Sequence, residues 1–198
     1  MDGDGTHGGR PRSEAARVAV LHAVDDLLVD VGYAAMTIRG IAQRAGVSRQ
    51  TVYRWWSTKA EILFEACVAD AEQELAVDAA ADPVDELTAY LEALAAFLGA
   101  SPAGAAYRAL LGEAQHDPAV AALLASRDVL GDSARVVVRR VAGDRADARR
   151  VDRVVARLVG PTFYWLLAGR ATGELEPRDE AAALWRELGA AADEPAAR

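Results

Sequence analysis

The feature that most constrains this chain is a four-residue turn, Ala45-Gly46-Val47-Ser48, between two short amphipathic segments. Before the turn, apolar residues recur at i, i+3, i+4 and i+7, which is the spacing of one helix face: Ile38, Ile41, Ala42 and Ala45. Gly46 permits a tight turn with positive φ, and Ser48 can cap a helix that begins directly after it. The pattern therefore predicts two helices joined at a sharp angle, a helix-turn-helix.

The rest of the chain also has helical spacing, and its apolar residues nowhere alternate with polar ones for a full strand. We expect an all-α protein of about nine helices, with a three-helix N-terminal helix-turn-helix domain followed by a larger helical part. The predicted helices cover residues 13–31, 38–45, 49–55, 59–80, 83–98, 105–116, 118–142, 148–168 and 177–191. Ser13 is the expected cap of the first helix, and Gly32 its expected end.

Several classes of protein are disfavoured by what the sequence lacks. Cys67 is the only cysteine and the three histidines are far apart, so the sequence suggests no disulfide, metal site or cofactor. A catalytic pair of Cys67 and His116 would need mutual reach and an orienting third group, and no motif indicates one. The longest uncharged stretch, 93–107, is too short to span a bilayer. We therefore expect a soluble cytoplasmic protein that is not an enzyme and does not contact membranes.

The net charge of −8 hides an uneven distribution. From Thr37 to Lys59 the chain carries five basic residues and no acidic one. A basic segment in an acidic protein is typical of a phosphate-binding surface, although a solvated helix face has the same composition.

The third helix holds the candidate base-reading residues. Val52 and Trp56 lie at its apolar positions, which leaves the other side chains free to face outward. In a helix-turn-helix this helix enters the major groove of DNA, where Arg49 can pair with guanine and Gln50 with adenine. Thr51 and Tyr53 can bond phosphates or touch a thymine methyl group.

The segment from Val20 to Leu63 strongly resembles the DNA-binding domain of the TetR family of repressors. The matching landmarks are Gly32-Tyr33, Thr37-Ile38, Ile41-Ala42, Ala45-Gly46-Val47-Ser48, Thr51-Val52-Tyr53 and Lys59. The resemblance implies that Thr37 adds a phosphate contact to its capping role and that Lys59 anchors a phosphate at the start of the fourth helix. Gly40 and Trp55 depart from the family pattern, and Trp55 is expected on the DNA side as an apolar contact with the groove wall.

The resemblance also implies a domain plan: a flexible tail at 1–12, a DNA-binding domain at 13–58, and a ligand-binding and dimerisation domain at 59–198. Aromatic residues of the second domain are the candidate pocket walls, with plain core packing as the alternative: Tyr90, Phe97, Tyr107 and Trp165. Broad apolar faces on the last two helices are the candidate dimer interface: Val155, Leu158, Thr162, Leu184, Trp185 and Leu188.

Taken with the resemblance, these observations favour a homodimeric repressor that binds double-stranded operator DNA and leaves it when a largely hydrophobic small molecule binds. Two alternatives stay open. One is an activator or ligand-independent regulator of the same fold; the other is a small-molecule-binding or enzymatic helical protein with a vestigial DNA-binding head. The acid-free basic stretch argues against the second alternative.

Overall fold

The computed structural model of the chain describes residues 9–143 and 147–190, and all regular structure within these two ranges is helical. The expected all-α class is confirmed. The helices are α1 Gly9–Ala35, α2 Ile38–Arg44, α3 Arg49–Tyr53, α4 Lys59–Glu74, α5 Pro83–Ala100, α6 Pro102–Ala114, α7 Pro118–Ala125, α8 Val129–Ala142, α9 Ala148–Leu167 and α10 Pro177–Ala190. A short 3₁₀ turn, Thr172–Glu174, precedes α10.

Helix α1 begins earlier than the sequence predicted. Its first residue is Gly9, so Ser13 lies inside the helix and does not cap it. The predicted break at Gly32 is confirmed, because this residue has φ 74° and ψ 165°, a conformation open to glycine but not to ordinary side chains. Of the predicted flexible tail, residues 9–12 belong to α1 and residues 1–8 lie outside the described residues.

The helix predicted for 118–142 is in fact two helices. Helix α7 ends at Ala125 and α8 begins at Val129, because the Asp128 carboxylate accepts a hydrogen bond from the Gly131 backbone N–H at 3.0 Å and caps a new helix. The long apolar run hid this capping residue from the periodicity argument. Two other boundaries move: α4 stops at Glu74, not near residue 80, and α6 starts at Pro102 behind the cap Ser101.

Helix α5 forms the centre of the larger part of the molecule, with contacts to α6, α8, α9 and α10. Helix α4 packs against both α1 and α6, so it joins the three N-terminal helices to the rest. The buried apolar residues form one cluster that extends from Val20 in α1 to Leu188 in α10. A rearrangement of α4 would therefore be felt at both ends of the chain.

Within the described ranges, no single helix is long and apolar enough to cross a membrane. Helices α5 and α6 reach that length and apolarity only as a pair, and the pair is bent by 70°.

Candidate nucleic-acid interface

Helix α2 is fixed at both ends by short-range hydrogen bonds. The Thr37 hydroxyl accepts from the Gly40 backbone N–H at 3.1 Å, which confirms its predicted role as N-cap. After the helix, Gly46 has φ 67°, and the Val47 N–H donates to the Ala42 carbonyl at 3.0 Å. The turn is therefore the tight, glycine-dependent one that the sequence predicted.

Helix α3 is capped by Ser48. Its hydroxyl accepts from the Thr51 N–H at 3.0 Å and lies 2.9 Å from the Thr51 hydroxyl. Thr51 is half-buried, so its hydroxyl serves the cap as well as the surface. This second cap sets the direction of α3 directly after the turn.

The inner side of α3 is anchored in the core. Val52 is completely buried and Trp56, just beyond the helix, is 3% exposed. The Trp56 indole N–H donates to the Glu65 carboxylate on α4 at 2.8 Å, so the polar edge of the ring is satisfied as well. Both residues are core residues, as the sequence predicted, and they hold α3 rigidly against α4.

The outer side of α3 presents a polar surface. Arg49 and Gln50 are exposed on its first turn, and Tyr53 follows with 56% of its surface exposed. Gln50 and Tyr53 line one shallow depression with Ser48, Thr51 and Arg54. The structure thus brings together the side chains that the sequence assigned to base and phosphate contact.

Three cations of the basic stretch are already engaged inside the protein. Arg44 pairs with Asp30 at 2.6 Å and Asp26 at 3.4 Å, so its charge is neutralised by α1. The Lys59 ammonium donates to the Tyr33 carbonyl at 2.8 Å and lies 4.2 Å from the centre of that ring. The basic footprint is consequently smaller than the residue count suggests.

Arg54 and Trp55 form a stacked pair beside α3. The guanidinium lies 4.4 Å from the centre of the Trp55 ring and also donates to the Ser13 hydroxyl at 3.3 Å. Trp55 is half-buried and packs edge-to-face on Trp56, with ring centres 5.5 Å apart. Its ring therefore holds Arg54 in place, a contact that the sequence did not reveal.

Two arginines remain free. Among the residues that the structure describes, Arg39 and Arg49 have exposed side chains with neither an ion pair nor a hydrogen bond. Arg39 sits in the first turn of α2, next to the cap Thr37. Sequence reasoning counted Arg39 in the basic stretch but assigned it no role; its distance from any acidic residue in the sequence was the available signal.

The four aromatic pocket candidates do not meet in one cavity. Tyr90 and Phe97 are almost completely buried in the core, and the Tyr90 hydroxyl is bonded to the Leu130 carbonyl and the Ser133 hydroxyl. Tyr107 borders a surface groove. The Trp165 indole N–H donates to the Ala171 carbonyl near the 3₁₀ turn, and the Arg170 guanidinium stacks on the ring. For Tyr90 and Phe97 the structure shows core packing, the alternative that the sequence left open.

The side chains named as the dimer interface mostly point into their own chain. Five of them are at most 5% exposed: Val155, Leu158, Thr162, Leu184 and Leu188. Trp185 is half-buried against the same core. Side chains with so little free surface cannot supply the area that a stable interface needs, so this assignment is corrected. The broad apolar faces are explained instead by the packing of α9 and α10 on α5.

Cys67 and His116 are not arranged for nucleophilic chemistry. Burial raises the pKa of the Cys67 thiol to about 12, and the thiol donates to the Ala103 carbonyl at 3.4 Å, whereas His116 is exposed. A thiol with so high a pKa is a poor nucleophile. In the described parts of the chain no three His, Cys, Asp or Glu side chains are grouped as metal ligands would be.

Comparisons with known proteins agree along most of the chain. Residues 20–66 match the family model described as "Bacterial regulatory proteins, tetR family". Residues 80–184 match the model "Tetracyclin repressor-like, C-terminal domain". A curated relative, the uncharacterized HTH-type transcriptional regulator YdeS of Bacillus subtilis (strain 168), is 37% identical over 113 residues. That match covers 57% of this chain and only 57% of the relative.

Solved structures share the whole fold. The TetR family transcription regulator SCO0332 superimposes with a TM-score of 0.66 at 26% identity, over 88% of this chain and 97% of its own. SCO7518 from Streptomyces coelicolor A3(2) gives a TM-score of 0.61 at 23% identity, over 86% and 96%. With the capped α2 and α3 at one end and the second family model spanning more than half of its length, the chain belongs to the TetR family of bacterial regulatory proteins, which are transcription regulators and not enzymes.

Proposed function

We propose that this protein is a homodimeric repressor that binds double-stranded operator DNA and is released from it by a small-molecule effector. The observation that carries the proposal is the two-sided construction of α3. Its inner side is locked by Val52 and Trp56, while Arg49, Gln50 and Tyr53 stand side by side on the exposed side. A rigid helix with free bidentate donors at its N-terminus is suited to the major groove.

The DNA contacts divide into two kinds. Arg49 and Gln50 read base edges, whereas Thr37, Thr51 and Tyr53 position the helix on phosphates. Lys59 binds phosphate as well, by exchanging its Tyr33 carbonyl for a stronger anionic acceptor. To the residues proposed from sequence we add Arg39, whose free guanidinium lies on the same end of α2 as Thr37.

Dimerisation is proposed through the outward side of α9. With the residues named from sequence buried, the exposed apolar side chains of this helix are Tyr164, at 66%, and Leu167, at 58%. They continue a stripe that includes Ala156, Gly160 and Phe163, at i, i+4 and i+7. Small residues in such a stripe let a second helix approach closely. A twofold partner would thus form a helical bundle across α9 and α10.

The regulatory mechanism follows from two spacings of the DNA-binding heads. The domain plan proposed from sequence puts the head at 13–58 and the ligand-binding and dimerisation domain at 59–198. In the DNA-competent dimer the two α3 helices lie about 34 Å apart, one turn of duplex. An effector that binds better to another spacing shifts the population and weakens operator affinity. The proposed location is the cytoplasm, where the operator is.

The test is binding to a duplex taken from upstream of the protein's own gene, followed by fluorescence anisotropy. Affinity is expected to fall steeply between 50 and 200 mM salt, because about six to ten phosphate contacts per dimer release counterions. Arg49→Ala should cost about 1–3 kcal/mol on the cognate site and change its sequence preference. Arg39→Ala and Lys59→Ala should weaken all sequences alike.

The matched control is Arg153→Ala, which removes an exposed arginine from α9, far along the chain from the head. If Arg153→Ala and Arg49→Ala weaken binding equally, the interface on α3 is wrong. A protein that binds the operator but is never released by a ligand is instead the activator or ligand-independent regulator of the same family.

A further inference from the structure

A groove of about 340 Å³ runs between the C-terminal half of α4 and one side of α8. Val68, Ala71 and Leu75 line it from α4, Val77 from the following segment, and Val136 and Val137 from α8. A cavity of this size accommodates a small drug-like molecule. None of the four aromatic residues proposed from sequence lines this groove.

The charged groups at the groove are already paired with one another. Arg127, ahead of α8, makes an ion pair with Glu72 on α4, across the groove. Arg140 pairs with the buried Glu86 and also donates to the Val77 carbonyl at 2.9 Å. A further ligand charge would have to break one of these pairs or go without a partner, and both are costly in an apolar site.

Asp132, the remaining acid at the groove, pairs with Arg135 at 2.9 Å. The groove therefore offers neither a free cation nor a free anion to an ionic ligand.

One polar group at the groove keeps spare hydrogen-bonding capacity. The Ser133 hydroxyl donates to the Leu130 carbonyl at 2.9 Å and lies 2.8 Å from the Tyr90 hydroxyl. A hydroxyl has one donor and two acceptor positions, and its donor is engaged. Ser133 can therefore accept one hydrogen bond from a ligand.

We propose that this α4–α8 groove is the effector site and that it takes a neutral, mainly apolar molecule carrying a hydrogen-bond donor for Ser133. This inference rests on the proposed function for the consequence of binding. Helix α4 supplies one wall of the groove and begins at Lys59, which is tied to the Tyr33 carbonyl in the head. A ligand that widens the gap between Glu72 and Arg127 therefore displaces the same helix that anchors the head.

The experiment uses two dyes with one ring system. N-phenyl-1-naphthylamine is neutral and has a single N–H, and 8-anilino-1-naphthalenesulfonate is the same molecule with an added sulfonate. Titrated by fluorescence into the full-length protein, the neutral dye should bind once per chain and at least about tenfold more tightly than the anionic dye. Equal or tighter binding of the sulfonate would overturn the neutral-ligand assignment.

The location is tested by Val136→Asp. Val136 is 61% exposed, so an aspartate there is compatible with folding, but it places a charge on the groove wall. The neutral dye should bind this variant about tenfold more weakly. The control is Val29→Asp, which changes a 70% exposed valine on α1, outside the groove, and should bind the dye as the unmodified protein does. Loss of binding in both variants, or in neither, refutes the site.

Operator binding is then measured on the same proteins without dye. Val136→Asp should bind DNA normally, and the neutral dye should release the unmodified protein from DNA but not the variant at the same concentration. If dye binding follows these expectations and no DNA is bound at all, the proposed function fails and the groove stands. If DNA is bound and the dye binds elsewhere, the groove fails and the proposed function stands.

Discussion

Gly104 lies where the first turn of α6 passes over the end of α5, and it predicts a large effect of adding a single methyl group. A Cβ atom built on Gly104 would lie 1.7 Å from the Phe97 carbonyl oxygen and 2.6 Å from its carbonyl carbon. Both are backbone atoms, so no side chain can rotate away, and the two helices must separate. Separation also disturbs the buried neighbours Ala103 and Leu98.

Overpacking of a tight core costs about 1–3 kcal/mol, and a clash with backbone belongs at the upper end of that range. Gly104→Ala should therefore lower the melting temperature by about 6–12 °C, because 1 kcal/mol corresponds to about 2–4 °C in a domain of this size. The control is Gly112→Ala in the same helix, where an added Cβ meets no atom within 4 Å. Its helix propensity should stabilise the protein by about 1 kcal/mol.

The assay is thermal unfolding followed by circular dichroism at a fixed protein concentration. A Gly104→Ala protein that melts within about 2 °C of the unmodified one would refute the reasoning. It would show that α5 and α6 can separate at little cost. Equal losses in both variants would mean that alanine is disfavoured in α6 for a reason other than the contact with Phe97.

Three further predictions concern single side chains. Burial and the neighbouring Asp70 raise the pKa of Asp25 to about 6, so its stabilising contribution is complete below about pH 4 and is lost as the pH rises through 6; Asp25→Asn should raise the melting temperature at pH 7.5 but not at pH 4. Gly40→Ala should stabilise the head by about 0.5–1 kcal/mol, because the new Cβ makes only an ordinary contact of 3.4 Å with the Thr37 hydroxyl; a lower melting temperature would contradict this. Tyr164→Glu should convert the dimer to monomer in sedimentation equilibrium at micromolar concentration, and an unchanged dimer would remove the outward side of α9 as the interface.

The head of the molecule was predictable because local chemistry determines it. Thr37 and Ser48 are caps that act within three residues, and Gly46 supplies a backbone angle that few other residues adopt. Val52 and Trp56 are the apolar positions of a very short helix. Each of these inferences needs only neighbours in sequence, and the structure places each side chain as expected.

The larger part was harder to predict because its apolar helices have several possible partners. An exposed dimer face and a buried face of α9 have the same composition in sequence. Leu158 and Leu184 were assigned to a partner chain, yet they pack within their own chain. Similarly, Tyr90 has the polar handle of a pocket residue but spends it on Leu130 and Ser133. Periodicity identifies an apolar face but not the surface that covers it.

The sequence alone determined the all-α class, the helix-turn-helix and the family, since caps, turns and periodicity are local properties. Only the tertiary structure decided which charges are free. Arg44 and Arg49 are indistinguishable members of one basic stretch, but the folding of α2 onto α1 brings Asp26 and Asp30 to Arg44 and leaves Arg49 exposed. The groove between α4 and α8 likewise exists only after residues far apart in sequence have packed together, because a cavity is the space that long-range packing leaves unfilled.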